Sequence, residues 1–84
     1  MRIERNNRGV CSRSVAFDID ENHIITNVSF VEGCNGNLQG VSALCDGMSA
    51  EEIISRCKGI KCGFKNTSCP DQLAAALEEA LAKL

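Results

Sequence analysis

The chain has 84 residues and a formal net charge of −2, with six cysteines, three phenylalanines and neither tryptophan nor tyrosine. That length allows one small domain that buries only roughly 60–65% of its unfolded surface, so an aliphatic core of this size calls for added fastening. The weak charge argues against a general nucleic-acid or membrane surface, and no run approaches the ~18 apolar residues of a membrane span.

Residues 1–8 read as a polar N-terminal arm, locally basic through Arg2, Arg5 and Arg8, solvated and frayed. The polar, charged run from Met1 to Gly9 is unlike a signal peptide. A cytoplasmic location is therefore expected, with thiols kept reduced. From Cys11 the pattern alternates: Cys11, Arg13, Val15, Phe17 and Ile19 share one face of a half-buried strand. Asp20-Glu21-Asn22-His23 is a polar turn, with His23 read as a solvated turn residue, and Ile24, Thr26, Val28 and Phe30 mark a second strand. So close a pair predicts an antiparallel hairpin. With Ile19 opposite Ile24, Cys11 falls opposite Glu32, and Cys34 is a diagonal neighbour. Cys11 and Cys34 are thus expected to converge.

Glu32-Gly33-Cys34-Asn35-Gly36-Asn37 ends the strand, and Asn35 or Asn37 is expected to cap the helix that follows. Leu38, Val41, Leu44, Cys45 and Met48 fit one face of that helix. Gly40 within it suggests a close backbone contact. Gly47 marks its end, and Ser49-Ala50-Glu51-Glu52 opens a second helix as a capping box. Ile53, Ile54 and Cys57 line the inner face until Gly59. In the last helix, Ser68 is a good N-cap with Asp71 placed to bond back, and Pro70 suits the first turn. Leu73, Ala76, Leu77, Ala80, Leu81 and Leu84 form its apolar stripe. The predicted order is ββααα: an α+β domain with an antiparallel β-hairpin followed by three helices. A two-stranded sheet is marginal alone and leaves edges unpaired, which favours a homodimer that joins two hairpins.

Cys45 and Cys57 lie on apolar helical faces and need no explanation beyond burial. Cys11, Cys34, Cys62 and Cys69 sit instead at the ends of elements. Gathered together they suit a tetrahedral zinc site, which would stabilise a small core. Spacing alone does not announce zinc, since there is no C-x-x-C. Two alternatives stay open. One is a thiol-disulfide relay, with Cys69 at a helix N-terminus as attacking thiolate and Cys62 as resolving thiol. The other is a metal-free protein-interaction module.

Val10-Cys11-Ser12, Gly33-Cys34-Asn35-Gly36-Asn37-Leu38, Gly59-Ile60-Lys61-Cys62-Gly63 and Thr67-Ser68-Cys69-Pro70-Asp71 together resemble the TSCPD family, in its small stand-alone, four-cysteine form. The resemblance runs from about Gly9 to Leu81, within a domain spanning 9–84. The family pattern matches Cys11, Cys34, Cys62 and Cys69 and omits Cys45 and Cys57. The family also occurs as a C-terminal domain of adenosylcobalamin-dependent ribonucleotide reductases. The resemblance therefore implies a link to deoxynucleotide synthesis (DNA biosynthesis) and a protein partner, a ribonucleotide reductase among the candidates. The chain cannot be that enzyme, since it lacks the length for a substrate barrel, a cobalamin site and a radical thiol. The expectation is a small accessory module, with zinc as cofactor and no catalytic residue of its own.

Overall fold

The computed structural model describes all 84 residues as an α+β domain: a three-stranded antiparallel sheet followed by three helices. The strands are β1 (Arg2–Asn6), β2 (Ser14–Ile19) and β3 (Ile25–Val31), and the helices α1 (Asn35–Cys45), α2 (Ala50–Cys57) and α3 (Cys69–Lys83). Strand order in the sheet is the order in the chain. No helix is long and apolar enough to cross a membrane.

The polar arm is not frayed, because most of it is β1. Arg2 pairs with Asp18 and Asn6 with Ser14, so β2 becomes the central strand. β1 has only one apolar residue, Ile3, which packs against the core. Its inward Arg5 is satisfied by Glu79 Oε2 at 2.7 Å and Gln72 Oε1 at 2.8 Å, both on α3. The terminal ammonium donates to the carbonyl of Ile19 at 2.8 Å. Two α3 side chains and a chain terminus thus stand in for the apolar residues a strand usually supplies. This third strand also removes the premise from which a dimer was expected, a sheet of only two strands.

The hairpin register differs from expectation by one residue at the turn. Ile19 faces Ile25, not Ile24, because Ile24 instead bridges to Ser49 ahead of α2. The turn is held by Asp20, whose Oδ1 accepts from the N–H groups of Asn22 and Ile24, both at 2.9 Å. A bulge then shifts the pairing, so that Ala16 faces Ser29 and Val15 faces Phe30. Asn27, with φ +54, absorbs the extra residue. Its side chain donates to Asp18 Oδ2 at 2.8 Å, and its N–H to Asp46 Oδ1 at 3.0 Å. The bulge returns Val28 and Phe30 to the face of Val15 and Phe17, the face on which the expected register also places them.

The core lies between this face and the helices. Val15, Phe17, Ile25, Leu73, Ala74 and Leu77 are fully buried, and Ile53 nearly so. α3 supplies the largest share, as its stripe of Leu and Ala predicts. Two local expectations fail. Asn35 and Asn37 lie inside α1, whose N-cap is Cys34, with no side-chain capping bond. A Cβ on Gly40 would meet nothing within 4 Å, so that glycine marks no close approach. Ser49 and Ser68 do cap α2 and α3, accepting from Glu52 N and Asp71 N.

Candidate functional site

Cys11, Cys34, Cys62 and Cys69 line one pocket of about 260 Å³, together with Asn37, Leu38, Val41, Ile60, Lys61, Ser68 and Pro70. Each thiol arrives from a different place: the turn before β2, the N-cap of α1, the loop between α2 and α3, and the first residue of α3. Gly33 lets Cys34 come so near Cys11. Its φ is +97, and a Cβ there would stand 2.8 Å from Leu38 Cδ1, 3.2 Å from Ser12 N and 3.3 Å from Cys11 Sγ. No L side chain fits that corner without movement.

The convergence of Cys11 with Cys34 therefore occurs, and it extends to Cys69. Cys11 Sγ and Cys69 Sγ are 3.7 Å apart, and Cys69 Sγ is also 3.1 Å from Ser12 Oγ. Ser12 is buried and in turn accepts from Asn7 Nδ2 at 2.8 Å. The backbone N–H of Cys34 and then the Cys69 thiol hold the Cys11 thiol below its ordinary value. Cys34 is pushed up instead, first because its thiol bonds to Cys11, then because charge on Cys11, Cys69 and Cys62 opposes its ionisation. The two shifts have one origin, several thiols sharing a small space. All six cysteines are unbonded, and no three Cys, His, Asp or Glu side chains lie closely enough together to enclose an ion.

The stretch from Gly59 to Asp71 is held by a network that the sequence reading missed. Asp71 does not bond back to the Ser68 N–H, as a capping box would. Its Oδ1 accepts from Gly59 N at 2.7 Å, and its Oδ2 accepts from the Thr67 hydroxyl. These two donors, Thr67 first, hold the Asp71 carboxyl below the usual carboxylate range. Gln72 Nε2 donates to Thr67 Oγ1 at 3.0 Å, while its Oε1 accepts from Arg8 N at 3.1 Å as well as from Arg5. The only advance signal was the spacing of Thr67, Asp71 and Gln72 across one helix start, a pattern shared by ordinary caps.

A family model of the TSCPD domain matches residues 1–81. The chain belongs to the TSCPD domain family. No curated protein and no solved structure matches it. The TSCPD motif itself is now legible as structure. Thr67 and Asp71 join loop to helix, Ser68 caps, Cys69 reaches the pocket, and Pro70 sits in the first turn of α3. In this TSCPD chain the other two cysteines lie apart from the four. Cys45 and Cys57 line a separate apolar groove of about 490 Å³ with Val41, Leu44, Met48 and Ile53. Burial pushes the Cys45 thiol up to about 11, and Cys57 upward too.

An alkylation order follows from exposure and ionisation together. In reduced, metal-free protein that circular dichroism shows to be still folded near pH 8, Cys11 should react first with iodoacetamide, being exposed with a lowered thiol. Cys45 should stay unmodified until the fold opens, since it is 5% exposed and neutral at that pH. Peptide mapping by mass spectrometry over a time course measures this. Early labelling of Cys45 would contradict its burial.

Proposed function

We propose that this protein is a small accessory module that binds one zinc ion through Cys11, Cys34, Cys62 and Cys69. Through its family it is linked to ribonucleotide reduction, where it serves a protein partner and does not itself turn over substrate. The observation that carries the metal reading is the 3.7 Å between Cys11 Sγ and Cys69 Sγ. Zn–S bonds of about 2.3 Å in a tetrahedron put neighbouring sulfurs roughly 3.8 Å apart, whereas a disulfide requires about 2.05 Å. The Cys11–Cys69 separation thus fits one edge of such a tetrahedron, between the turn before β2 and the start of α3. Cys34 adjoins Cys11, and Cys62 lines the same pocket. A bound cation would also favour ionisation of Cys34, which its hydrogen bond to Cys11 and then the charge on Cys11 oppose. Zinc here would supply folding free energy and a fixed surface, with all four positions taken by protein.

One observation favours a second reading, a thiol-disulfide relay, but with altered roles. The close sulfur pair is Cys11 and Cys69, not Cys62 and Cys69. Cys11 is exposed with a lowered thiol, while Cys69 is 7% exposed. The attacking thiolate would then be Cys11. Protein purified under reducing conditions without chelator separates the two. The metal reading expects one zinc per chain and four thiols protected from a chromogenic disulfide reagent until chelator is added. Zinc-free protein with two fast thiols would overturn it in favour of the relay.

A further inference from the structure

Two of the four thiols are placed by helix starts and a third is held against them, but the fourth is held by neither. Cys69 opens α3, Cys34 caps α1, and Cys11 is fixed against both. Cys62 belongs to a segment in which residues 59–66 are all exposed. No side chain from Ile60 to Asn66 makes a hydrogen bond or an ion pair. Inside the segment there are only backbone bonds: Ile60 N to Cys57 O at 3.3 Å, Cys62 N to Thr67 O at 3.1 Å, and Lys65 N to Cys62 O at 3.0 Å. Cys62 also makes no sulfur contact, and is felt at the site only as a charge on Cys34.

One carboxylate holds both ends of this segment to α3. Asp71 accepts from Gly59 N with one oxygen and from Thr67 Oγ1 with the other, so it grips both ends of the stretch that carries Cys62. Thr67 is held a second time by Gln72, which is itself fixed by Arg5 and the N–H of Arg8. Asp71 stands on α3 two residues beyond Cys69, so the clamp references Cys62 to the helix that presents its partner thiol. We propose that Asp71 is a positioning residue for the four-cysteine site, clamping Gly59 and Thr67 so that Cys62 is presented to the other three thiols. The proposal rests on the metal reading for its consequence, and on the hydrogen bonds alone for the clamp.

A two-by-two set of full-length chains tests this: wild type, Asp71→Ala, Cys62→Ser and the double variant. Zinc affinity is read by competition with a chromophoric chelator, and backbone amide exchange by mass spectrometry. Loss of an outer partner of a metal ligand typically weakens binding by about 10–100-fold, and that fall is expected for Asp71→Ala when Cys62 is present. With Cys62 already replaced, the same change should cost no more than about 2-fold, since the clamp then has no ligand to place. An equal loss in both backgrounds, or no loss in either, overturns the assignment. Should Asp71→Ala not fold, Thr67→Val breaks one end of the clamp, keeps the helix cap, and is read the same way. Exchange keeps the clamp separable from the metal. If wild type takes up no zinc, the metal reading fails, and the amides of residues 60–66 decide. Faster exchange there in Asp71→Ala, with α3 unchanged, supports the clamp; no difference overturns it.

Discussion

Serine in place of any one of Cys11, Cys34, Cys62 or Cys69 should weaken zinc binding by orders of magnitude and lower the melting temperature steeply. Structural zinc is worth about 10–16 kcal/mol at neutral pH in small domains, comparable to or larger than the roughly 5–15 kcal/mol that keeps a whole domain folded. Three thiolates leave the tetrahedron incomplete, so metal and stability should fall together. Cys45→Ser and Cys57→Ser should keep one zinc per chain. Their cost is that of a hydroxyl in an apolar groove, about 1–3 kcal/mol, and larger for Cys45, the more buried of the two. Metal analysis and thermal melts across the six variants make the comparison. Full zinc in Cys11→Ser would sink the four-ligand assignment.

Gly33→Ala should be the most damaging change to a residue that carries no chemistry. The new methyl would stand 2.8 Å from Leu38 Cδ1 and 3.2 Å from Ser12 N. The Leu38 methyl can swing toward the pocket it lines, but the backbone of Ser12 cannot yield without moving Cys11. Left-handed backbone adds on the order of 1–2 kcal/mol for an L residue, and overpacking about 1–3 kcal/mol more. In a domain of this size each kcal/mol shifts Tm by roughly 4–8 °C, so a fall of more than about 10 °C is expected. Gly36→Ala is the control, since a Cβ there meets nothing within 4 Å inside α1. It should leave Tm unchanged or raise it slightly, by virtue of helix propensity. Equal melting of the two variants would mean that the Cys11–Cys34 corner is looser than the structure has it.

The helices and the four-cysteine grouping were legible in the sequence because each rests on short-range pattern. Leu73, Ala76, Leu77 and Ala80 repeat at helical spacing, and Ser49 and Ser68 are caps recognisable from their neighbours. Cys11 and Cys34 could be brought together from hairpin logic even with the wrong register, since the offset of one residue at the turn and one at the bulge moves the strand end by only about 7 Å, and in the direction that brings Cys34 toward Cys11. What escaped was held by distant partners. β1 has Arg5 on its inner face, which reads as solvent-facing until Glu79 and Gln72 arrive from α3. The bulge depends on Asn27 taking positive φ, for which a polar run such as Thr26-Asn27 gives no unique signal. Asp71 looked like half of a capping box, because its true partners, Gly59 and Thr67, lie upstream in a loop without periodicity.

The sheet's meander order has a consequence for the sequence of events in folding. β1, β2 and β3 each pair with the strand just made, and the stretch ahead of α2 bridges to the start of β3. Such local closures are fast, because short loops cost little entropy. α3 is the exception. Ser12 meets Cys69 across 57 positions and Arg5 meets Glu79 across 74. The docking of α3 should therefore come late, after the rest has collapsed. Until it does, Cys11 has no Cys69 beside it and Cys62 has no Asp71 to place it. A chain emerging during synthesis would complete its thiol pocket only when α3 is free to dock, and removal of α3 would take Cys69 and Asp71 with it.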